Sequence, residues 1–288
     1  MPVIDYKVPQ SVDDAVSLLE ANENAKILAG GTDLIIQSRA QSSPDLVVVD
    51  LKSLPDFVSA NINSEGLSLG PSMSCAEFTA REDIKSLFPG LVEAAFLIGS
   101  TQVQGRASIG GNLCNASPAA DTIPALMVNN ALCVIQGPKG ERRVSVEDFV
   151  TGVASNCMAK NELLKAILVA TPASRTSDAY LRFIPRSEMD IAVAGAAVSV
   201  TLETDGTCSK AIVAIGAVAP TAILVDAAAK ALIGSKLDET SLQAAADAAS
   251  AASNPITDRR GTAEFRRHVV GVLVKRAALI AAKRAGDK

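Results

Sequence analysis

Residues 106–121 read RASIGGNLCNASPAAD, and no other stretch restricts the fold so strongly. Gly110 and Gly111 stand side by side, followed by Asn112 and then by the small residues Asn115, Ala116, Ser117 and Pro118. Such a run is too polar and too small for a core strand. Adjacent glycines free the backbone from the limits a Cβ imposes, so positive φ and close approach of another group both become possible. Successive N–H groups in such a bend can converge on an anion. A second pair lies in residues 25–37, AKILAGGTDLIIQ, where an apolar run enters Gly30 and Gly31 and is followed by Thr32 and Asp33. One such pair is read first as a tight turn. Two in one chain point to two backbone cradles for one large phosphate-bearing ligand. Neither is a G-x-G-x-x-G fingerprint or a Walker loop.

With 288 residues the chain has room for two or three lobes, each with its own core. A hydrophobic content of 48% beside 20% charged residues describes a globular protein. The net charge of −4 gives no reason to expect nucleic acid. No apolar run reaches the roughly 18 residues of a membrane span, and residues 1–10 lack the regions of a signal peptide. A cytoplasmic location is expected unless a partner carries an export signal. The five cysteines are dispersed without C-x-x-C spacing, which argues against a zinc site or an iron–sulfur centre held by this chain alone and favours buried thiols. His268 is the single histidine, set in FRRH on a basic helix face, and no G-x-S-x-G elbow accompanies it. A bound cofactor is therefore expected to carry the chemistry.

Along the chain, Ser11 and Asp14 open a first helix with a capping pattern. Residues 25–29 and the β-branched 46–51, bounded by Pro44 and Asp45, read as strands, with a helical turn at 34–39 between them. Residues 1–55 form a first β-α-β unit. A second α+β lobe spans 56–175, with a strand at 67–70, a capping box from Ser74 to Glu77, a helix at 89–98 begun by Pro89, a hairpin turn at 137–140 and a strand at 163–169. Residues 176–288 read as strands at 180–184, 194–203 and 209–217, then helices at 222–233, 239–252 and 263–283. Residues 257–288 hold nine Lys/Arg against three acids. That basic helix is either a solvated face or a dock for an acidic partner.

Taken together, AKILAGGTDLI and ASIGGNLCNASPAAD resemble the flavin-binding subunit of the molybdenum hydroxylases, the family of xanthine dehydrogenase and aerobic carbon monoxide dehydrogenase. The resemblance spans essentially the whole chain. It implies an α+β fold: a two-lobed FAD-binding domain of the PCMH (vanillyl-alcohol-oxidase-like) type, then a C-terminal lobe of a three-stranded antiparallel sheet with a helical bundle. By resemblance, Lys26, Ile27, Leu28, Ala29, Gly30, Gly31, Thr32, Asp33 and Leu34 wrap the FAD pyrophosphate and ribityl chain together with Ala107, Ser108, Ile109, Gly110, Gly111, Asn112, Cys114 and Asn115. Asp121 stands close behind. A third region, RFIPRSEMDIAVAG, is similar to the xanthine dehydrogenase segment with an acid followed by isoleucine, here Asp190 and Ile191. Some carbon monoxide dehydrogenase-like members have a tyrosine at the position of Ile191. Arg182 aligns with a basic residue near the isoalloxazine, its other reading being a strand residue facing solvent. Leu164 and Ile167 are apolar-wall candidates.

A buried pyrophosphate needs fixed donors, which backbone N–H groups in both bends supply, joined by the Thr32 and Ser108 hydroxyls and the Asn112 amide. Asp33 and Asp121 would repel phosphate, so they are expected to accept from backbone N–H groups or cofactor hydroxyls, and for Asp33 helix capping is an equal reading. Cys114 is expected to pack against the cofactor. The resemblance further implies a small subunit with two [2Fe–2S] clusters and a large molybdenum–pterin subunit, assembled as a dimer of heterotrimers. Electrons pass from the clusters to this FAD and on to an external acceptor. The Asp-Ile pair favours an N-heterocycle or purine as substrate. The alternatives are a carbon monoxide dehydrogenase medium subunit, a stand-alone flavin oxidoreductase of the same fold, for which no acid–base dyad is evident, and a non-redox scaffold.

Overall fold

Three main sheets succeed one another along the chain in this computed structural model, which describes residues 4–40 and 46–288. The first is parallel and contains β1 (Ile4–Lys7), β2 (Ala25–Leu28) and β3 (Leu46–Asp50) in the order β1-β3-β2. Helices α1 (Val12–Ala21) and α2 (Leu34–Ala40) follow β1 and β2. Ser11 caps α1 by accepting the Asp14 N–H at 3.1 Å, as its spacing predicts. Val16 and Leu19 of α1 bury against Val47, Val49 and Phe57. The Pro44 and Asp45 boundary expected before β3 lies outside the described residues. In parallel sheets ligands gather at the carboxyl ends of the strands. Gly30 and Gly31 follow the end of β2 after a single residue, Ala29.

The second sheet is antiparallel, in the order β4-β5-β10-β6-β7. Its strands are β4 (Ala60–Asn63), β5 (Gly66–Leu69), β6 (Leu132–Gly137), β7 (Gly140–Ser145) and β10 (Leu163–Ala170), with a small ribbon of β8 (Val150–Gly152) and β9 (Ser155–Asn156) before the last. Between β5 and β6 run α3 (Cys75–Thr79), α4 (Glu82–Leu87), α5 (Pro89–Phe96), α6 (Thr101–Gln104), α7 (Ile109–Asn115) and α8 (Thr122–Val128), and α9 (Val146–Phe149) follows β7. Phe78, Phe88, Leu91, Leu113 and Leu126 from the helices share one core with Leu69, Ile135 and Ile167 from the sheet. Of the expected Ser74 box the serine half is formed: Ser74 Oγ accepts the Glu77 N–H at 3.2 Å, while the Glu77 carboxylate takes the Ser74 hydroxyl at 2.7 Å in place of the Ser74 N–H. The hairpin turn expected at 137–140 joins β6 to β7, with Gly137 paired to Gly140 at φ 104°.

The third sheet has the three expected long strands, β11 (Thr176–Phe183), β12 (Ala194–Leu202) and β13 (Cys208–Gly216), plus a two-residue edge, β14 (Ile223–Leu224). A helix is expected from residue 222, yet α10 begins only at Asp226 and ends at Leu232. Ile223 and Leu224 pair with Ile215 and Ala214 instead, so sheet pairing overrides local helix propensity. Helices α11 (Glu239–Ala252) and α12 (Ala263–Gly286) complete the lobe. Their small residues allow close contact: a Cβ on Gly271 would stand 2.9 Å from Ala246 O.

The second and third sheets meet over a wide joint. Asp178 of β11 accepts the Gly90 and Leu91 N–H groups at 2.9 and 3.1 Å, using donors left free by the start of α5, and also accepts from Asn129 Nδ2 at 2.8 Å. Tyr180, Ala197 and Ala214 belong to the same buried cluster as Phe78 and Leu126.

Candidate functional site

The two glycine pairs come together in space. A Cβ on Gly30 would stand 2.0 Å from Arg106 O and 3.0 Å from Ala107 Cα, so only glycine lets the first bend touch the segment entering the second. Gln37 Nε2 donates to Asn115 Oδ1 at 2.9 Å and ties the far ends of the motifs. Between them opens a cleft of about 390 Å³, within the range of ligand pockets.

The first bend presents main-chain donors. Gly31 has φ 79°, and a Cβ there would stand 2.8 Å from Leu28 Cδ1. The N–H groups of Gly30, Gly31, Thr32 and Asp33, and the Thr32 hydroxyl, have no hydrogen-bond partner among the described residues. The Ala29 carbonyl is taken by Lys52 Nζ at 2.8 Å, and Lys52 pairs with Asp50 at 2.6 Å. Lys26, Ile27, Ala29, Thr32, Asp33 and Leu34 line the cleft with both glycines, whereas Leu28 lies outside its lining. The Asp33 carboxylate accepts no hydrogen bond from a described residue, so of its two expected partners the backbone N–H is absent among them, and burial at the rim pushes this carboxyl above the ordinary value.

The second pair differs from the expected bend, because Gly110 and Gly111 occupy the first turn of α7. Ser108 caps that helix, its Oγ accepting the Gly111 N–H at 3.1 Å, which leaves its own O–H available as the donor expected at the cleft. A Cβ on Gly110 would stand 2.3 Å from Pro71 Cβ, which makes this glycine a packing residue. Gly111 is different: its Cβ would meet only Ser108 Oγ at 2.9 Å and Ala29 Cβ at 3.9 Å, across the cleft. Ala107, Ser108, Asn112, Cys114 and Asn115 also line it, while Ile109 is buried behind. Asn112 Oδ1 accepts from Thr122 Oγ1 at 2.6 Å. Burial holds the Cys114 thiol up at about 12, so it is inert at neutral pH.

Leu164 lines the cleft, and Ile167 lies in the core. Asp121, Arg182, Asp190 and Ile191 fall outside the lining. Asp121 is buried, and among the described residues side chains hold it where a backbone N–H or a cofactor hydroxyl is expected: Tyr180 Oη donates at 2.8 Å and Arg182 Nη1 at 2.6 Å. Burial pushes its carboxyl up to about 6, opposed by Arg182 and the Tyr180 hydroxyl. Arg182 therefore does not face solvent; its side chain is 6% exposed. Asp190 accepts from the Ile191 N–H at 2.8 Å and pairs with Arg186 and Arg260, which leaves the Ile191 side chain exposed.

Sequence reasoning misses a third wall. Pro71, Ser72, Asn156, Met158 and Lys160 line the cleft beside Leu19 and Leu51. Asn156 Nδ2 holds the Cys114 carbonyl at 2.9 Å. The Ser72 hydroxyl is buried without a partner among the described residues. Pro71 leaves one trace, the obligatory Gly110 opposite it. Among the described residues no three His, Cys, Asp or Glu side chains gather as metal ligands, and no helix is long and apolar enough to cross a membrane.

Comparison with known proteins agrees with this geometry. Residues 2–172 match the FAD binding domain in molybdopterin dehydrogenase, and residues 179–281 match the CO dehydrogenase flavoprotein C-terminal domain. The chain is 33% identical over 283 residues to the carbon monoxide dehydrogenase medium chain of Afipia carboxidovorans, covering 98% of this chain and 97% of that one. It is 28% identical to the xanthine dehydrogenase FAD-binding subunit of Escherichia coli O157:H7, over 98% of this chain and 97% of that one. The solved carbon monoxide dehydrogenase from Hydrogenophaga pseudoflava superposes with a TM-score of 0.93 at 32% identity, covering 98% of each chain. With both halves of its length matched in order, the chain belongs to the FAD-binding medium subunits of the molybdenum hydroxylase family.

Proposed function

We propose that this chain is the electron-transfer flavin subunit of a heterotrimeric molybdenum hydroxylase, receiving electrons from the [2Fe–2S] clusters of a small partner and delivering them to an external acceptor. The observation that carries this reading is the row of N–H groups at Gly30, Gly31, Thr32 and Asp33 that find no acceptor among the described residues, opposite the bare wall at Gly111. That is the donor set a diphosphate needs once it leaves water. When bound, FAD supplies exchange of single electrons on one side and of a pair on the other. The chain's residues bind and shield it. Lys26 and Lys160 set positive charge at the cleft, the orphaned Ser72 hydroxyl borders it, and Leu19, Leu51, Met158 and Leu164 form apolar wall that excludes water.

We assign the remaining expected contacts to the same cofactor. Asp121 and Arg182 would neutralise one another behind it, and Ile191, on the loop held by Asp190, would face the flavin ring, where an isoleucine neither stacks nor hydrogen-bonds. The chain divides as 1–55, 56–175 and 176–288. A large molybdenum–pterin subunit completes the complex, as a dimer of heterotrimers in the cytoplasm. Its substrate is an N-heterocycle or purine on the strength of the Asp190-Ile191 pair. A second reading, a carbon monoxide dehydrogenase medium subunit, is favoured by the 33% identity to that chain.

Reconstitution of the purified chain with FAD, followed by elemental analysis of the native complex, tests the proposal. A yellow protein that copurifies with iron and molybdenum is expected. A chain that stays colourless in excess FAD would rule out the flavin role, and a yellow chain isolated without iron or molybdenum would point to a stand-alone flavoenzyme.

A further inference from the structure

Asn112 lies on the cleft wall in the first turn of α7. Its Oδ1 accepts two hydrogen bonds from one residue, Thr122 Oγ1 at 2.6 Å and the Thr122 N–H at 3.4 Å. A backbone N–H can only donate, so the atom facing it must be the amide oxygen. The NH2 group is thereby turned away from α8, and it has no acceptor among the described residues. Thr122 is fully buried as the first residue of α8. Its own N–H is one of the donors that a helix start leaves unpaired. Asp121, the residue before it, is gripped by Tyr180 and Arg182 of β11. A continuous polar path thus runs from the C-terminal sheet through Asp121 and Thr122 to the cleft.

We propose that Thr122 is a positioning residue that locks the Asn112 amide with both N–H donors directed at the cleft, where the diphosphate of the bound dinucleotide takes them. This rests on the cleft being the FAD site. An unlocked amide presents oxygen or nitrogen by a half-turn about its last bond, and oxygen set against a phosphate places lone pair against lone pair. Thr122 never touches the ligand. It sets which end of Asn112 does, and the C-terminal lobe holds Thr122 in place through Asp121.

The test uses the full chain stripped of FAD, with affinity read from flavin fluorescence on titration and folding read from the melting temperature of the apoprotein. Thr122→Val keeps the shape and the backbone donor but removes the hydroxyl. It is expected to weaken FAD about tenfold, the scale of one charge-assisted hydrogen bond, with the apoprotein still folded. Thr122→Ser keeps the hydroxyl and is expected to stay within about twofold of wild type. In an Asn112→Ala background the valine substitution should cost nothing further, because the amide it controls is gone. An equal loss in both backgrounds would show a general packing role and overturn the lock, as would full FAD affinity in Thr122→Val. A wild-type chain that fails to bind FAD overturns the assignment of the cleft and the lock together, whereas normal wild-type binding with an unaffected Thr122→Val overturns the lock alone.

Discussion

Three glycines with the same side chain do three different jobs, and the difference lies in what a Cβ would strike. At Gly30 it would strike the Arg106 carbonyl, at Gly110 the ring of Pro71, and at Gly111 little besides a serine hydroxyl. The first two hold lobes and loops together at van der Waals contact, where added volume forces the backbone to move. The third keeps a wall bare. Gly111→Val should therefore leave a folded chain, with a melting temperature within a few degrees of wild type, while FAD retention falls at least ~100-fold because the side chain fills the cleft. Gly110→Val should lower the melting temperature steeply in the apoprotein itself, by overpacking against Pro71 at a cost of about 1–3 kcal/mol or more. Thermal melts of the two apoproteins beside FAD titrations separate the roles. Equal melting losses in both would mean that Gly111, too, is a packing residue.

At the scale of elements, how far each was legible depends on where its stability comes from. Residues 46–50, LVVVD, announce β3 because a parallel strand buried on both faces is a continuous β-branched run. β4 is hidden because Ala60, Asn61, Ile62 and Asn63 offer one branched apolar side chain, and only pairing with β5 makes a strand of them. Likewise α7 carries two glycines and two asparagines, all poor helix formers, so its helicity comes from the Ser108 cap and from burial of Ile109 and Leu113. The two motif walls of the cleft could be read from the chain because each is contiguous. The wall of Pro71, Ser72 and Met158 could not, since only tertiary approach assembles it. The same holds for the bond from Arg182 of β11 to Asp121 at the start of α8. Burial raises the folded Asp121 carboxyl to about 6, above its unfolded value. A raised acid contributes stability that is fully present below the unfolded value and lost as pH rises through about 6. Relative to Asp121→Asn, the wild-type apoprotein should therefore lose on the order of 2–3 kcal/mol between pH 4 and 7.5 in urea unfolding. A stability difference that is flat across that range would show that Asp121 does not titrate there.

For the whole molecule the two joints between lobes are unequal, and the cleft lies at the weaker one. The second and third sheets share a buried cluster and are riveted by Asp178 on α5, by the Glu93–Arg284 pair and by Asp121 with Arg182. The first sheet keeps a small core of its own, around Val16, Leu19, Val49 and Leu51, to which the second lobe lends Phe57 and Leu163. Across the cleft it is held by the close approach of Gly30 to Arg106, the Gln37–Asn115 bond and an exposed bond from Asn161 to Glu20. A small core with few cross-contacts opens at lower free energy than the rest of a protein. A ligand bound to both sides of that joint must then stabilise it by mass action, by about 2.7 kcal/mol at a hundredfold excess over its dissociation constant. Hydrogen–deuterium exchange should accordingly be fastest in the apoprotein over residues 25–40 and slow there by roughly tenfold to a hundredfold on addition of FAD. Residues 176–183 and 194–202, in β11 and β12, should exchange at rates that FAD leaves nearly unchanged. If both regions slow by the same factor, they open only together, and the cofactor does not clamp a separate first lobe but stabilises one cooperative unit.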